Sequence, residues 1–260
     1  GAPGKFQVLI DGRPLETVFG AEGAEWHWQY GGTVDLAKGT TRIALHDLTG
    51  FEGRCDAILF SSRDGFVPPN LDPVMAELRR AVLRIPPTPE QAGEFDLVVV
   101  GAGISGTCAA LAAARLDLKV ALVQDRPVLG GNNSSEVRVW LNGEINLPPY
   151  PRVGDVVREL EPQKRAHSGP ENSAEIYEDQ RRLDLVRAEK NITLVLNHRV
   201  NDLEVDGRRI RAALAQDVRS GRRVRLAGRY FADCTGDGVV GAMAGADSDI
   251  TPTGHMGPSN

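Results

Sequence analysis

Cysteine is scarce: Cys55, Cys108 and Cys234 are the only three in 260 residues, and no two form a C-x-x-C pair. Neither a disulfide framework nor a thiolate metal site is indicated, and each cysteine is expected to be a small buried apolar residue. Positive charge is not in excess either, since 30 Lys and Arg face 35 Asp and Glu for a net charge of −5. No positive field is available to condense on nucleic acid, so a nucleic-acid partner is not expected. No apolar run approaches the ~20 residues that cross a bilayer, and no leader-like segment is visible. His27 and His46 have no partner at metal-ligand spacing, and no metal site is expected. What is present is ordinary for a globular chain, with 41% hydrophobic and 25% charged residues, and the length suits one large domain or two ordinary ones. The chain begins at Gly1 without a methionine, so a fragment or a processed form is expected.

The organising stretch is Phe95-Asp-Leu-Val-Val-Val-Gly-Ala-Gly-Ile-Ser-Gly106. Its valine run predicts a strand buried on both faces, as in a parallel sheet. The strand runs into Gly101, Gly103 and Gly106 at G-x-G-x-x-G spacing, and the alanine-rich stretch to Ala114 predicts a helix. Gly101 permits a tight turn and Gly103 lets the backbone approach a pyrophosphate. Gly106 lets the helix lie close to the strand, while the N–H groups of the first turn, around Ile104 and Ser105, face the phosphates. With the next strand at Lys119–Val123, the whole βαβ context is present, and a dinucleotide site is expected. The acidic residue sought about 20 positions on, to bond the adenosine ribose, falls at Gln124 or Asp125. Either Gln124 bonds the ribose through its amide or Asp125 takes over.

Residues 5–67 have another character. Short runs at Phe6–Ile10, Glu25–Tyr30, Thr33–Leu36, Thr41–His46 and Cys55–Ser61 alternate with turn signals, which predicts strands at sandwich-like spacing with no helix between. Five strands make a poor free-standing sandwich, so upstream strands are expected to be missing. Trp26, Trp28 and Tyr30 would share one face of a strand, either as a sugar-stacking platform or as sandwich core, and core is the reading favoured. The run Thr33–His46 followed by Cys55–Ser61 resembles the last strands of galactose-binding-like, jelly-roll carbohydrate-binding modules, over roughly a quarter of the chain.

Prolines at 68, 69, 73, 86, 87 and 89 mark residues 68–94 as a linker, with a short helix predicted at Val74–Leu83. Beyond the second strand, Leu129-Gly-Gly-Asn-Asn-Ser134 offers close backbone approach and many donors in a short loop. Helices are predicted at Val153–Glu161 and Ser173–Lys190, with the charged run Glu175–Arg182 as a solvated face. Asn191–Asn197 predicts another buried parallel strand. Strands at Val200–Val205, Arg209–Val218 and Arg223–Leu226, joined by Asp-Gly and Ser-Gly turns, predict an antiparallel meander. It returns through Gly228-Arg-Tyr-Phe-Ala-Asp-Cys-Thr-Gly-Asp-Gly238, a strand ending in a turn.

Three separated segments, Val100–Gly106, Leu129–Ser134 and Ala232–Gly238, together resemble the FAD-dependent oxidoreductases of glutathione-reductase-like type, over residues 95–246. The resemblance implies FAD as cofactor and an α/β fold: an FAD-binding, Rossmann-type parallel sheet with an inserted antiparallel β-meander, preceded here by an N-terminal all-β, jelly-roll-like domain. It implies that the Thr235-Gly236-Asp237 turn returns beside the first glycine loop, with Asp237 bonding the ribityl or phosphate region. It also implies that Val200 meets the adenine through its backbone. The cofactor-binding set is then Gly101, Gly103, Ile104, Ser105, Gly106, Gln124 or Asp125, Gly130, Gly131, Asn132, Val200, Thr235, Gly236 and Asp237. Cys234 stands where such families more often have alanine. No pattern identifies a catalytic base toward the substrate, and Glu136, Arg138 and His255 read as structural or solvated. The expected layout is a partial β-sandwich at 1–67, a linker at 68–94, and an FAD-binding domain at 95–260 truncated at its C-terminus. The expected activity moves a hydride or electron pair between flavin and a small organic molecule, carbohydrate-linked if the sandwich binds sugar. Two rivals stay open: an NAD(P)-dependent dehydrogenase with a single Rossmann domain, and a glycan-binding protein with a vestigial flavin domain.

Overall fold

The computed structural model describes residues 4–23, 25–50, 53–163 and 173–249. The chain divides into two compact units, Gly1–Val82 and Leu83–Asn260.

In the first unit, β1 (Phe6–Ile10) is flanked by β2 (Arg13–Pro14) and β3 (Ile43–Asp47) in an antiparallel sheet. The Asp11-Gly12 turn between β1 and β2 takes left-handed backbone at both residues, with φ 48° and 82°, the geometry that two-residue hairpins require. Of the five runs read as strands, Phe6–Ile10 forms as expected and the fourth forms as Ile43–Asp47. Glu25–Tyr30, Thr33–Leu36 and Cys55–Ser61 take no strand structure. Alternation sets a strand's faces but cannot supply its pairing partner, and these runs have none among the described residues. The aromatics depart from the core reading accordingly. Trp26 is 63% exposed and Tyr30 79%, while Trp28 is half-buried with its indole N–H donating to Pro69 O at 3.1 Å. Cys55, expected to be buried, is exposed.

Helix α1 (Val74–Leu83) forms over the predicted range and buries no residue.

The second unit is built on one six-stranded sheet. Its strands are β4 (Glu90–Val100), β5 (Val120–Val123), β6 (Ile192–Val195), β7 (His198–Asp206), β8 (Arg209–Asp217) and β9 (Arg223–Asp233), in the order β6-β5-β4-β9-β8-β7. The four strands from β6 to β9 in that order run parallel, and β8 and β7 continue antiparallel. Two sequence boundaries move. β4 reaches back to Glu90, into the stretch read as linker, because Glu90–Glu94 pairs with Val224–Ala227 across a bulge at Gln91/Gly93. The third meander strand and the returning strand are one continuous strand, β9, which pairs with β8 and with β4.

The valine run divides its side chains as a strand buried on both faces must. Val99 packs with Val120 and Leu122 of β5 against α2 (Ile104–Ala114), α3 (Asp155–Leu160) and α4 (Asp179–Ala188). Val98 and Val100 face the other way, with Ala121, Val123, Ala213 and Ala215. Small residues on the inner face of α2 let it lie close to the sheet, and Ala110 and Leu111 are fully buried. Strand β6 is only half-buried, against the expectation of a buried strand, because among the described residues it forms the edge of the sheet. The helix read over 173–190 is broken. A 3-10 turn at Ala174–Tyr177 gives way to Glu178 at φ 48°, and α4 starts after it.

Candidate functional site at the carboxyl edge of the sheet

The parallel strands β4, β5 and β9 end side by side, and each runs into one of the three glycine-bearing segments. The carboxyl edge of an open parallel sheet is where such folds bind ligands. Gly101 takes φ 95°, and a Cβ there would lie 2.9 Å from the Thr235 nitrogen and closer still to the Cys234 carbonyl. Gly106 is closed as well: a Cβ would run into the Gly101 carbonyl oxygen and sit 3.0 Å from the Cys234 Cβ. These two glycines are demanded by the chain itself. Gly103 is different, because a Cβ there would meet nothing within 4 Å among the described residues.

The second loop joins the first through the backbone. Gly130 N donates to Ala102 O at 2.8 Å and Gly103 pairs with Gly130 as a parallel bridge. A Cβ on Gly131 would lie 3.0 Å from the Gly103 Cα. Gly130 and Gly131 take φ 104° and 58°, left-handed conformations that side chains resist. Asn132 is exposed, and its carbonyl accepts from Val139 N at 2.9 Å.

At the end of β9, the Thr235–Gly238 turn is shaped by Asp233. Its Oδ1 accepts from Thr235 N at 3.1 Å and Thr235 Oγ1 at 2.7 Å, and its Oδ2 accepts from Gly241 N at 2.9 Å. Burial pushes this carboxyl up, but the Gly241 and Thr235 donors outweigh it and hold the pKa below the ordinary value. Thr235 Oγ1 in turn accepts from Val239 N at 3.1 Å, at the start of α5 (Val239–Met243). Asp237, Gly236 and Gly238 are exposed, and among the described residues neither glycine would have a neighbour for a Cβ within 4 Å.

Gln124 and Asp125 part company. Gln124 is buried; its Oε1 accepts from Ala102 N at 2.9 Å and its Nε2 donates to Val128 O at 3.3 Å. Its amide thus ties the end of β5 to both glycine loops, while Asp125 is exposed. Val200 is buried in β7 opposite Ala215 and packs in the core on the sheet's other face. Ile104 is half-buried and Ser105 exposed at the start of α2, whose N-terminus carries no side-chain cap. Burial raises the thiol of Cys108 to about 11 and that of Cys234 upward, which disfavours the thiolate and redox reactivity. Glu136 is exposed, 3.8 Å from Arg126, and His255 lies outside the described residues.

The donor set fits a dinucleotide. A helix N-terminus at α2 with no side-chain cap, open backbone at Gly103, Gly236 and Gly238, and an exposed carboxylate past β5 share one sheet edge, as a pyrophosphate and a ribose require. Sequence reasoning missed Asp233 and Arg182. Asp233 stands two residues before Thr235, a spacing at which a side-chain carboxylate bonds backbone N–H groups ahead of it. Arg182 was read as part of a solvated run, yet it is 1% exposed. It sits four residues before the buried Val186, so helical periodicity already puts both on one face.

A family model described as FAD dependent oxidoreductase matches residues 96–254. No curated protein matches the sequence. Among solved structures the chain is similar to a flavoprotein/dehydrogenase from Cytophaga hutchinsonii, at 18% identity and TM-score 0.40, over 59% of this chain and 42% of that one. It is similar to an E. coli quinol fumarate reductase at 18% identity and TM-score 0.37, over 56% of this chain and 33% of that one. A myxobacterial chondrochloren halogenase, described as FAD-dependent, matches at 15% identity and TM-score 0.38, over 57% of this chain and 38% of that one. The chain spans less than half the length of each of these structures. Among the described residues, no helix is long and apolar enough to cross a membrane.

Proposed function

This chain belongs to the FAD dependent oxidoreductase family, and from that premise we propose that it holds FAD at the carboxyl edge of β4, β5 and β9 and serves hydride or electron-pair transfer between the flavin and a small organic molecule. The observation that carries this reading is the convergence of three glycine loops around backbone left open at Gly103, Gly236 and Gly238. Bound there, FAD supplies a two-electron acceptor and donor.

The chain's own residues bind and orient it. The N–H groups at Ile104, Ser105 and Gly106 donate to the pyrophosphate, and Gly103 lets it approach. Gly101 sets the turn before it. Asp125 accepts from the ribose hydroxyls, because the Gln124 amide is already engaged with Ala102 and Val128. Gly130, Gly131 and Asn132 bring backbone to the cofactor from the second loop, Asp237 and Gly236 from the third, with Thr235 holding that turn. Val200 meets the adenine through its backbone. The nicotinamide rival has no use for the Asp233-shaped turn beside Gly101.

An absorbance spectrum tests this. Bands near ~370 and ~450 nm, released with heat-denatured protein, are expected for non-covalent flavin. A colourless protein that takes up no added FAD would overturn the reading.

A second reading concerns the first unit: that it belongs to a carbohydrate-binding sandwich and that the substrate is carbohydrate-linked. The exposure of Trp26 and Tyr30 supports it, since aromatic faces free of the core can stack on sugar rings. Titration with galactose should change tryptophan fluorescence saturably in the native protein and not in Trp26→Ala. No response in the native protein sinks it.

A further inference from the structure

Arg182 lies on α4, outside all three glycine loops, and its guanidinium is turned into the second of them. Nε donates to Leu160 O at 3.0 Å. Nη1 donates to the Asn133 carbonyl and Nη2 to the Asn133 side-chain oxygen, both closely. The nearest carboxylate, Asp179, stands 3.9 Å away and is itself engaged, accepting from Ser135 N at 3.2 Å and from Ser135 Oγ. This buried cation therefore directs its donors to the loop and to the end of α3, not into a paired carboxylate. Charge-assisted bonds of this kind are stronger than neutral ones, and the planar fork fixes their directions. A Cβ on Gly130 would lie 2.6 Å from both Arg182 Nη1 and Asn133 O, so any side chain at 130 would displace the arginine or the Asn133 carbonyl. The same Gly130 bonds Ala102 and bridges Gly103, which links the cation to the first loop through two backbone contacts.

We propose that Arg182 is the positioning residue for the Gly130–Asn133 loop, fixing from beneath the left-handed backbone on which the cofactor rests. This rests on the flavin reading above. Arginine meets three acceptors on separated atoms with a rigid five-donor fork, whereas lysine offers one nitrogen and cannot span them. The bond count, not the bare charge, does the positioning.

The test uses the full chain with Arg182→Met, Arg182→Lys and Asn133→Ala. FAD dissociation constants come from flavin fluorescence, and amide exchange is followed without FAD. Arg182→Met should weaken FAD about tenfold or more, and Arg182→Lys should recover only part of that. Asn133→Ala should weaken FAD in the same direction, and its effect should not add to that of Arg182→Met. In the absence of FAD, the amides of Gly130, Asn133 and Val139 should exchange faster in Arg182→Met, with those of β4 and β5 unchanged. Unaltered affinity in Arg182→Met, or full rescue by lysine, overturns the proposal. So does uniform loss of protection across the unit, the mark of a merely structural arginine; if Arg182→Met does not fold, Asn133→Ala carries the same tests. If the unaltered protein binds no FAD, the flavin reading falls, and the exchange data alone decide whether Arg182 holds the loop.

Discussion

Gly106→Ala is expected to cripple folding, while Gly103→Ala, three residues earlier, leaves the fold intact and weakens the cofactor. At Gly106 the new methyl group would press into the Gly101 carbonyl and lie 3.0 Å from the Cys234 Cβ. Neither neighbour can turn away as the end of a long side chain could, since both belong to β4, β9 or the turns that leave them. Helix α2 must lift from the sheet, and overpacking of that kind costs ~3 kcal/mol or more. For a chain of this size such a loss lowers the melting temperature by roughly 6–12 °C. At Gly103 the backbone sits at φ −62°, ψ −178°, open to any residue, and a Cβ touches none of the described residues. The expected stability cost is under about 1 kcal/mol, mostly from a poorer N-cap. On the flavin reading proposed above, the methyl group would instead occupy the space of the pyrophosphate. Thermal melts with and without FAD separate the two: Gly106→Ala should melt low in both, and Gly103→Ala should lose only the increment that FAD adds. A Gly103→Ala protein that FAD stabilises as fully as the parent would remove the pyrophosphate from this loop.

The second large effect is expected at Asp233. Replacing it with alanine removes the acceptor for Thr235 N, Thr235 Oγ1 and Gly241 N together. The turn after β9 and the first turn of α5 lose their shared anchor, at a cost of about 1–2 kcal/mol by analogy with a helix cap. The effect depends on pH with a defined sign. Asp233 is held below the ordinary carboxylate range, so its folded form binds a proton less readily than its unfolded form. Its contribution is fully present above the unfolded pKa of about 3.9 and is lost as pH falls through the depressed folded value. Denaturant midpoints of native and Asp233→Ala proteins should differ most at neutral pH and converge in acid. A difference that grows as pH falls would contradict the assigned bonding.

The dinucleotide-binding half was legible because its local signals need no distant partner to be read. Three valines in β4 face both ways into a core, and periodicity reports that without knowing which strands lie alongside. Gly101, Gly103 and Gly106 announce a strand–turn–helix by spacing alone. The first unit was less legible. Trp26, Trp28 and Tyr30 alternate as a strand would, but strands exist only where another chain segment supplies hydrogen bonds, and no periodicity contains that information. Glu90–Glu94 shows the converse, a polar run that reads as linker and becomes strand because β9 extends far enough to pair with it.

The sequence by itself determined that this chain carries a βαβ nucleotide-binding core with two further glycine loops, since turn chemistry and buried-strand composition are local properties. Tertiary structure alone decided which residues serve those loops. Gln124 turned inward to bond Ala102, leaving Asp125 outside; Asp233 took the turn that Asp237 tops; and Arg182 left a run of surface charge to lie beneath Asn133. Each choice rests on hydrogen-bond partners far apart in sequence, and only the packed sheet brings them within reach.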